Sequence, residues 1–164
     1  MKKQNDLERT LLENIEKIYE CHKINDKETD FTIQINPFKS SQCNLSIKKL
    51  SNMEVIKIFC VINTSLKIQE IMKRATLLER SYTKQIIHKA YSENNKECEI
   101  SEDFKNISTY GYLSTENIDL KQMHKMISDN ILLVKHVVQF LIELDETMNQ
   151  EVSKIKSSNN KKRV

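Results

Sequence analysis

The sequence predicts an all-α fold, an elongated helical bundle or coiled-coil subunit, and three observations carry that expectation. Every seventh residue from Leu120 to Ile155 is apolar: Leu120, Ile127, Val134, Leu141, Met148 and Ile155. The chain holds a single Gly and a single Pro, far below ordinary usage, whereas hairpins and phosphate-cradling loops draw on both. Charged residues make up 30% and aromatic residues only 6%, with no Trp, a balance that suits solvated helices better than a thick core. At 164 residues the chain is one domain's worth, or one helical element of a larger assembly.

Residues 1–44 read as an N-terminal helix followed by an extended crossover. Leu7, Leu11, Ile15 and Ile18 share one face of a helix from Asn5 to about Ile24. Phe31, Ile33 and Ile35 then alternate with polar residues before Pro37, which excludes its predecessor from the helical region. With no second strand in view, this segment is expected to pack on helices as a crossover. Residues 45–91 read as a long central helix. Within it, Met53–Ile62 is apolar on nearly all sides, and Asn63-Thr64-Ser65 marks a kink. Residues 92–118 are polar, carry Gly111, and read as the main linker. Residues 119–156 form the C-terminal heptad helix, opened by Asp119 with Gln122 three residues on. Residues 157–164 are a basic tail.

A stripe with a seven-residue period keeps facing one neighbour, so the last helix predicts a partner-helix interface. Its residues are Leu120, Met123, Ile127, Asn130, Val134, Val137, Leu141, Leu144, Met148 and Ile155. Glu151 breaks the companion seam near its end. Asn130, polar within that seam, suits a residue that fixes register at a cost in stability. Ile131, Val138 and Ile142 widen the stripe beyond a two-stranded seam, which favours a bundle.

The residue types exclude several functions. Cys21, Cys43, Cys60 and Cys98 form no CxxC pair, and the four histidines lie too far apart to chelate as local pairs. No HExxH, GxSxG or Walker loop occurs, so no catalytic, cofactor or metal residues are assigned and a non-enzymatic protein is expected. Lys2 and Lys3 follow Met1 without an apolar stretch, which predicts no secretory signal, a reducing compartment and free thiols. No run of 18 apolar residues predicts a membrane span. Net charge is +3, with five basic residues from Lys154 onward and no acidic ones. Elsewhere bases and acids are intermixed, and Tyr110 with Tyr112 alone is too little for a base-stacking platform, which argues against nucleic acid.

The segment Lys121 to Val152, with a His-containing lead-in and the run from Leu132 to Thr147, resembles the C-terminal helical part of the second subunit of the augmin (HAUS) complex. The size of the chain also suits the small augmin component of flies. The resemblance covers about half of the chain and matches a helix face through Leu133, Val137, Phe140, Leu141 and Leu144. It implies an obligate hetero-oligomer with other augmin-like coiled-coil subunits. It further implies indirect contact with microtubules and with the γ-tubulin ring complex, and a place on the spindle in the cytoplasmic cytoskeleton. Such a subunit would support nucleation of new microtubules from existing ones. The alternatives are a helical kinetochore subunit of the Mis12 or CENP type, or a small basic-tailed nucleic-acid accessory factor.

Overall fold

The computed structural model describes residues 2–38 and 42–161 and is mixed α/β, not all-α. Among the described residues four helices and six strands follow in the order α1 (Lys2–Glu16), β1 (Cys21–Ile24), β2 (Thr29–Ile35), β3 (Cys43–Leu50), β4 (Val55–Asn63), α2 (Leu66–Arg74), α3 (Leu77–Ser92), β5 (Glu99–Ile100), β6 (Asn106–Ser114) and α4 (Leu120–Lys161). The strands form one antiparallel sheet in the order β1-β2-β3-β4-β6-β5.

The central helix expected over 45–91 is therefore two strands and two helices. Most of Met53–Ile62 lies in β4, an interior strand of the sheet that carries apolar residues on both of its faces. Ile56, Ile58, Cys60 and Ile62 are buried, and Val55, Phe59 and Val61 on the other face are half-buried. A run of this length fits strand and helix equally by apolarity, and its β-branched Val and Ile content is the mark of a strand. In β3, Leu45, Ile47 and Lys49 share the buried face. Lys49 is tolerated there because its ammonium donates to Asp30 Oδ2 at 3.3 Å, to the Leu50 carbonyl at 2.9 Å and to the Met53 carbonyl. The β3–β4 turn places Asn52 at φ 60°, a left-handed position that Asn adopts readily.

The extended crossover is a full strand. Phe31, Ile33 and Ile35 are buried, and β2 pairs on one side with β1 and on the other with β3. The first helix ends at Glu16 rather than near Ile24, with Leu11 and Ile15 fully buried. An ion pair of Lys23 with Glu8 ties β1 to α1. The expected kink at Asn63-Thr64-Ser65 is the end of β4 and the cap of α2, where Ser65 Oγ accepts from the Ile68 amide at 3.3 Å. The helix α3 opens with a capping box. Glu79 N donates to Thr76 Oγ1 at 3.2 Å, and Thr76 N donates to Glu79 Oε2 at 2.7 Å.

The linker expected over 92–118 contains β5 and the nine-residue strand β6, which runs along all of β4. Its register puts Ile107, Thr109, Gly111 and Leu113 on the covered face. The single glycine has a packing reason. A Cβ at Gly111 would stand 2.5 Å from Met126 Cε, so the Met126 side chain of α4 packs directly on the strand at this point. The turn before β6 holds Phe104 at φ 56° with its side chain buried, an arrangement that is strained for a bulky residue. Thr64 fixes it, since its hydroxyl donates to the Phe104 carbonyl and its amide to the Lys105 carbonyl at 2.9 Å.

The last helix is where the sequence placed it, starting behind Asp119, whose Oδ1 accepts from the Lys121 and Gln122 amides at 2.9 and 3.2 Å. It runs through 42 residues, roughly 63 Å at ~1.5 Å per residue, into the segment read as a basic tail. Residues 162–164 of that tail lie outside the described residues. All four helices contribute buried residues to one core, built on the face of the sheet that carries Ile33, Ile47, Ile58 and Ile107. Among the described residues no helix contributes to the opposite face.

Candidate functional site

The expected partner-helix seam is occupied by the chain itself. Met123, Ile127, Asn130, Val134, Val137 and Leu141 are buried, and Leu120 and Leu144 half-buried, where α4 packs on β4, α2 and α3. The resemblance face is also internal through Leu133, Val137, Leu141 and, partly, Phe140 and Leu144. Near the distal end Ile155 is 60% exposed, and the side chain of Met148 lies outside the described residues. Asn130 makes one bond, donating from Nδ2 to the Met126 carbonyl at 2.8 Å, while its Oδ1 is buried without a partner.

The cysteines and histidines yield one close pair. Cys98 Sγ lies 3.3 Å from His88 Nδ1. Burial pushes the thiol up to about 11, so it stays protonated and is no nucleophile at neutral pH. Burial likewise raises Cys60 to about 12. Among the described residues no three His, Cys, Asp or Glu side chains gather to hold a metal ion, and no helix is long and apolar enough to cross a membrane.

The uncovered face of the sheet is a different surface. Strand alternation brings to it Thr32 and Gln34 from β2, Asn44, Ser46 and Lys48 from β3, Val55, Lys57, Phe59, Val61 and Asn63 from β4, and Asn106, Ser108, Tyr110, Tyr112 and Ser114 from β6. Register places Phe59 between Ser46 and Tyr110, and Lys57 between Lys48 and Tyr112. Three aromatic rings and two ammonium groups thus share the middle of a flat surface. The Lys57 Nζ stands 4.6 Å from the Tyr110 ring centre and 5.1 Å from that of Phe59. Lys48 Nζ is 5.8 Å from the Phe59 centre, and Tyr110 and Tyr112 meet edge to face at 5.6 Å. Both tyrosines are about half exposed, at 45% and 50%.

Charge on the middle of this face is basic, with Glu99 of β5, paired with Ser108, bringing one carboxylate to its margin. None of its residues from β3, β4 or β6 is acidic. The nearest carboxylate to Lys48 is Asp26 in the β1–β2 turn, at 3.5 Å. The Glu28 amide, more than Lys48, holds that carboxyl below its usual range. Around the rings lie neutral hydrogen-bonding groups, among them Gln34, whose Nε2 donates to Asn44 Oδ1 at 3.2 Å. Solvated faces of antiparallel sheets are ordinarily polar, so a cluster of rings there is the departure that marks a surface for binding. The sequence showed Tyr110 and Tyr112 two apart across Gly111. What it hid was Phe59, 51 positions before Tyr110 in the chain and directly opposite it in the sheet.

Fold and surface define an α/β protein with a one-sided antiparallel sheet, helices on one face and an aromatic-basic patch on the other. No family model matches the chain, and no curated protein does. Among solved structures it is similar to the crystal structure of an uncharacterized protein from Methanothermobacter thermautotrophicus, at 11% identity and a TM-score of 0.70. The match covers 85% of this chain and 97% of that one, and at this identity it speaks for the fold alone.

Proposed function

We propose that this protein binds single-stranded nucleic acid on the open face of its sheet. The observation that carries the reading is the grouping of Phe59, Tyr110 and Tyr112 with Lys48 and Lys57 at adjacent cross-strand positions. Rings offer faces on which unpaired bases stack, at about 1–3 kcal/mol per base, and ammonium groups between them meet the phosphates that link those bases. Amide and hydroxyl side chains at the margin supply donors and acceptors for base edges. The proposed activity is binding. This reading takes up the nucleic-acid alternative of the sequence analysis. The augmin-type spindle subunit, with its microtubule and γ-tubulin ring complex partners, and the kinetochore alternative draw no support from the fold, because the face that would meet partner subunits is internal.

The test is fluorescence anisotropy of the protein with labelled single-stranded RNA and DNA oligonucleotides, set against the matching duplexes. Single strands should bind better than duplexes. Affinity should fall with salt along a slope of about −1.4 in log–log terms, the value for two phosphates at ~0.7 each. Absence of binding, or a preference for duplex, would rule the reading out.

A further inference from the structure

The strand β6 is nine residues long, but its outer neighbour β5 has only two, paired with Ile107 and Ser108, and the flanking chain adds a bond from Ser101 N to the Asn106 carbonyl and one from Thr109 Oγ1 to the Glu97 carbonyl at 2.7 Å. Peptide groups along a strand point alternately to its two sides. The amide of Thr115 and the carbonyl of Lys105 both bond toward β4, as the odd-numbered residues between them must. The even-numbered residues point outward, as the bond from Ser101 N to the Asn106 carbonyl at 3.0 Å confirms. Outward groups of Tyr110, Tyr112 and Ser114 therefore have no backbone partner among the described residues. A sheet edge of this kind is a template for another strand.

Edges that stay single are ordinarily guarded by charge, proline or shortness. The other edge of this sheet follows that rule, for β1 has four residues and carries Lys23, held by Glu8. The β6 edge breaks it. From Asn106 to Thr115 the sequence NISTYGYLST holds no charge and no proline.

We propose that this edge pairs with the same edge of a second copy, β6 against β6 antiparallel, about a two-fold axis at Tyr112. The exposed stretch is self-complementary in length, because Tyr110 of one copy falls opposite Ser114 of the other while Tyr112 meets itself. It is also self-complementary in charge, because a neutral edge meets its own copy without repulsion, whereas an edge bearing lysines would not. The axis stands perpendicular to the sheet, so both helical layers lie on one side of a continuous twelve-stranded sheet. Both aromatic patches lie on the other side, with the four tyrosines at the centre. The pairing uses backbone groups and stands independently of any ligand on that face.

The experiment is hydrogen exchange with sedimentation of the full chain in the absence of nucleic acid. The expected result is a species of twice the chain mass, in which the amides of Tyr110, Tyr112 and Ser114 are protected and lose protection on dilution into the monomer. Tyr112→Pro removes one outward amide without touching the β4 ladder and should abolish the dimer. Should that variant fail to fold, Tyr112→Cys gives the second reading. Mild oxidation should link it into a covalent dimer well beyond any that the wild-type chain forms through its half-buried Cys21 and Cys43. A monomer at every concentration, or a dimer whose three amides exchange freely, overturns the proposal, and the second outcome assigns the contact to another surface.

Discussion

The two faces of β4 come from one run of sequence and meet opposite fates. Ile56, Ile58, Cys60 and Ile62 point into the core, at 2% exposure or less. Their neighbours Lys57, Phe59 and Val61, each one residue away, are half-buried on a face that no helix covers among the described residues. Within β4 the inner face is apolar and lies in the core to which all four helices contribute, with α4 packed directly on the strand. The outer face mixes rings, ammonium groups and amides, a composition that stability alone does not call for. On the proposed reading stability resides on one side of the strand and recognition on the other, and substitutions should separate the two.

The largest effect should come from Leu141→Asp, which buries an unpaired carboxylate beneath α4 and costs at least ~3 kcal/mol. Because Leu141 packs within its own chain, the isolated protein should unfold at markedly lower denaturant, and Ile155→Asp should not shift the midpoint. Equal midpoints for the two variants would return the seam to an external partner. Next in size, Ile58→Ala should lower stability by about 2–5 kcal/mol through the cavity it leaves. The adjacent Lys57→Ala should change it by no more than ~0.5 kcal/mol. Chemical denaturation of both variants tests directly whether the faces are unequal.

On the outer face Tyr112→Ala should weaken single-strand binding by about 1–3 kcal/mol while leaving the melting temperature near that of the wild type. A loss of stability without loss of affinity would mean that the rings serve the sheet rather than a ligand. Asn130→Leu sharpens the contrast from within. The substitution removes a buried Oδ1 that has no partner, so it should stabilise the chain by ~1 kcal/mol, readable as a raised melting temperature. Smallest of all, Gly111→Ala meets only the flexible tip of Met126, and thermal melting should register a loss below ~1 kcal/mol.

How much was legible in the sequence differs from element to element. The helix α4 announced itself because its apolar residues repeat with the helical period for six turns or more, and Asp119 caps it as the sequence suggested. Phe31, Ile33 and Ile35 were rightly seen as extended, but a strand is defined by its neighbours, and β3 and β6 were hidden inside segments read as helix and linker. In β6 the alternation of Ile107, Thr109 and Leu113 is interrupted by Gly111, which takes a buried position without an apolar side chain. The candidate surface was legible only as isolated parts. Its residues come from strands whose separation in the chain conceals that they are neighbours.

The sequence by itself determined the local facts: a long amphipathic α4, extended β2, four cysteines without a CxxC pair, and a stretch from Asn106 to Thr115 without charge. Period and residue chemistry suffice for these, because each depends on residues close together in the chain. Tertiary structure decided what α4 faces and what lies beside Tyr110. A heptad stripe specifies that something apolar must cover it, and burial rewards a sheet of the same chain as readily as a second helix. Cross-strand register, which sets Phe59 beside Tyr110, is a long-range choice fixed by which face of each strand the core accepts.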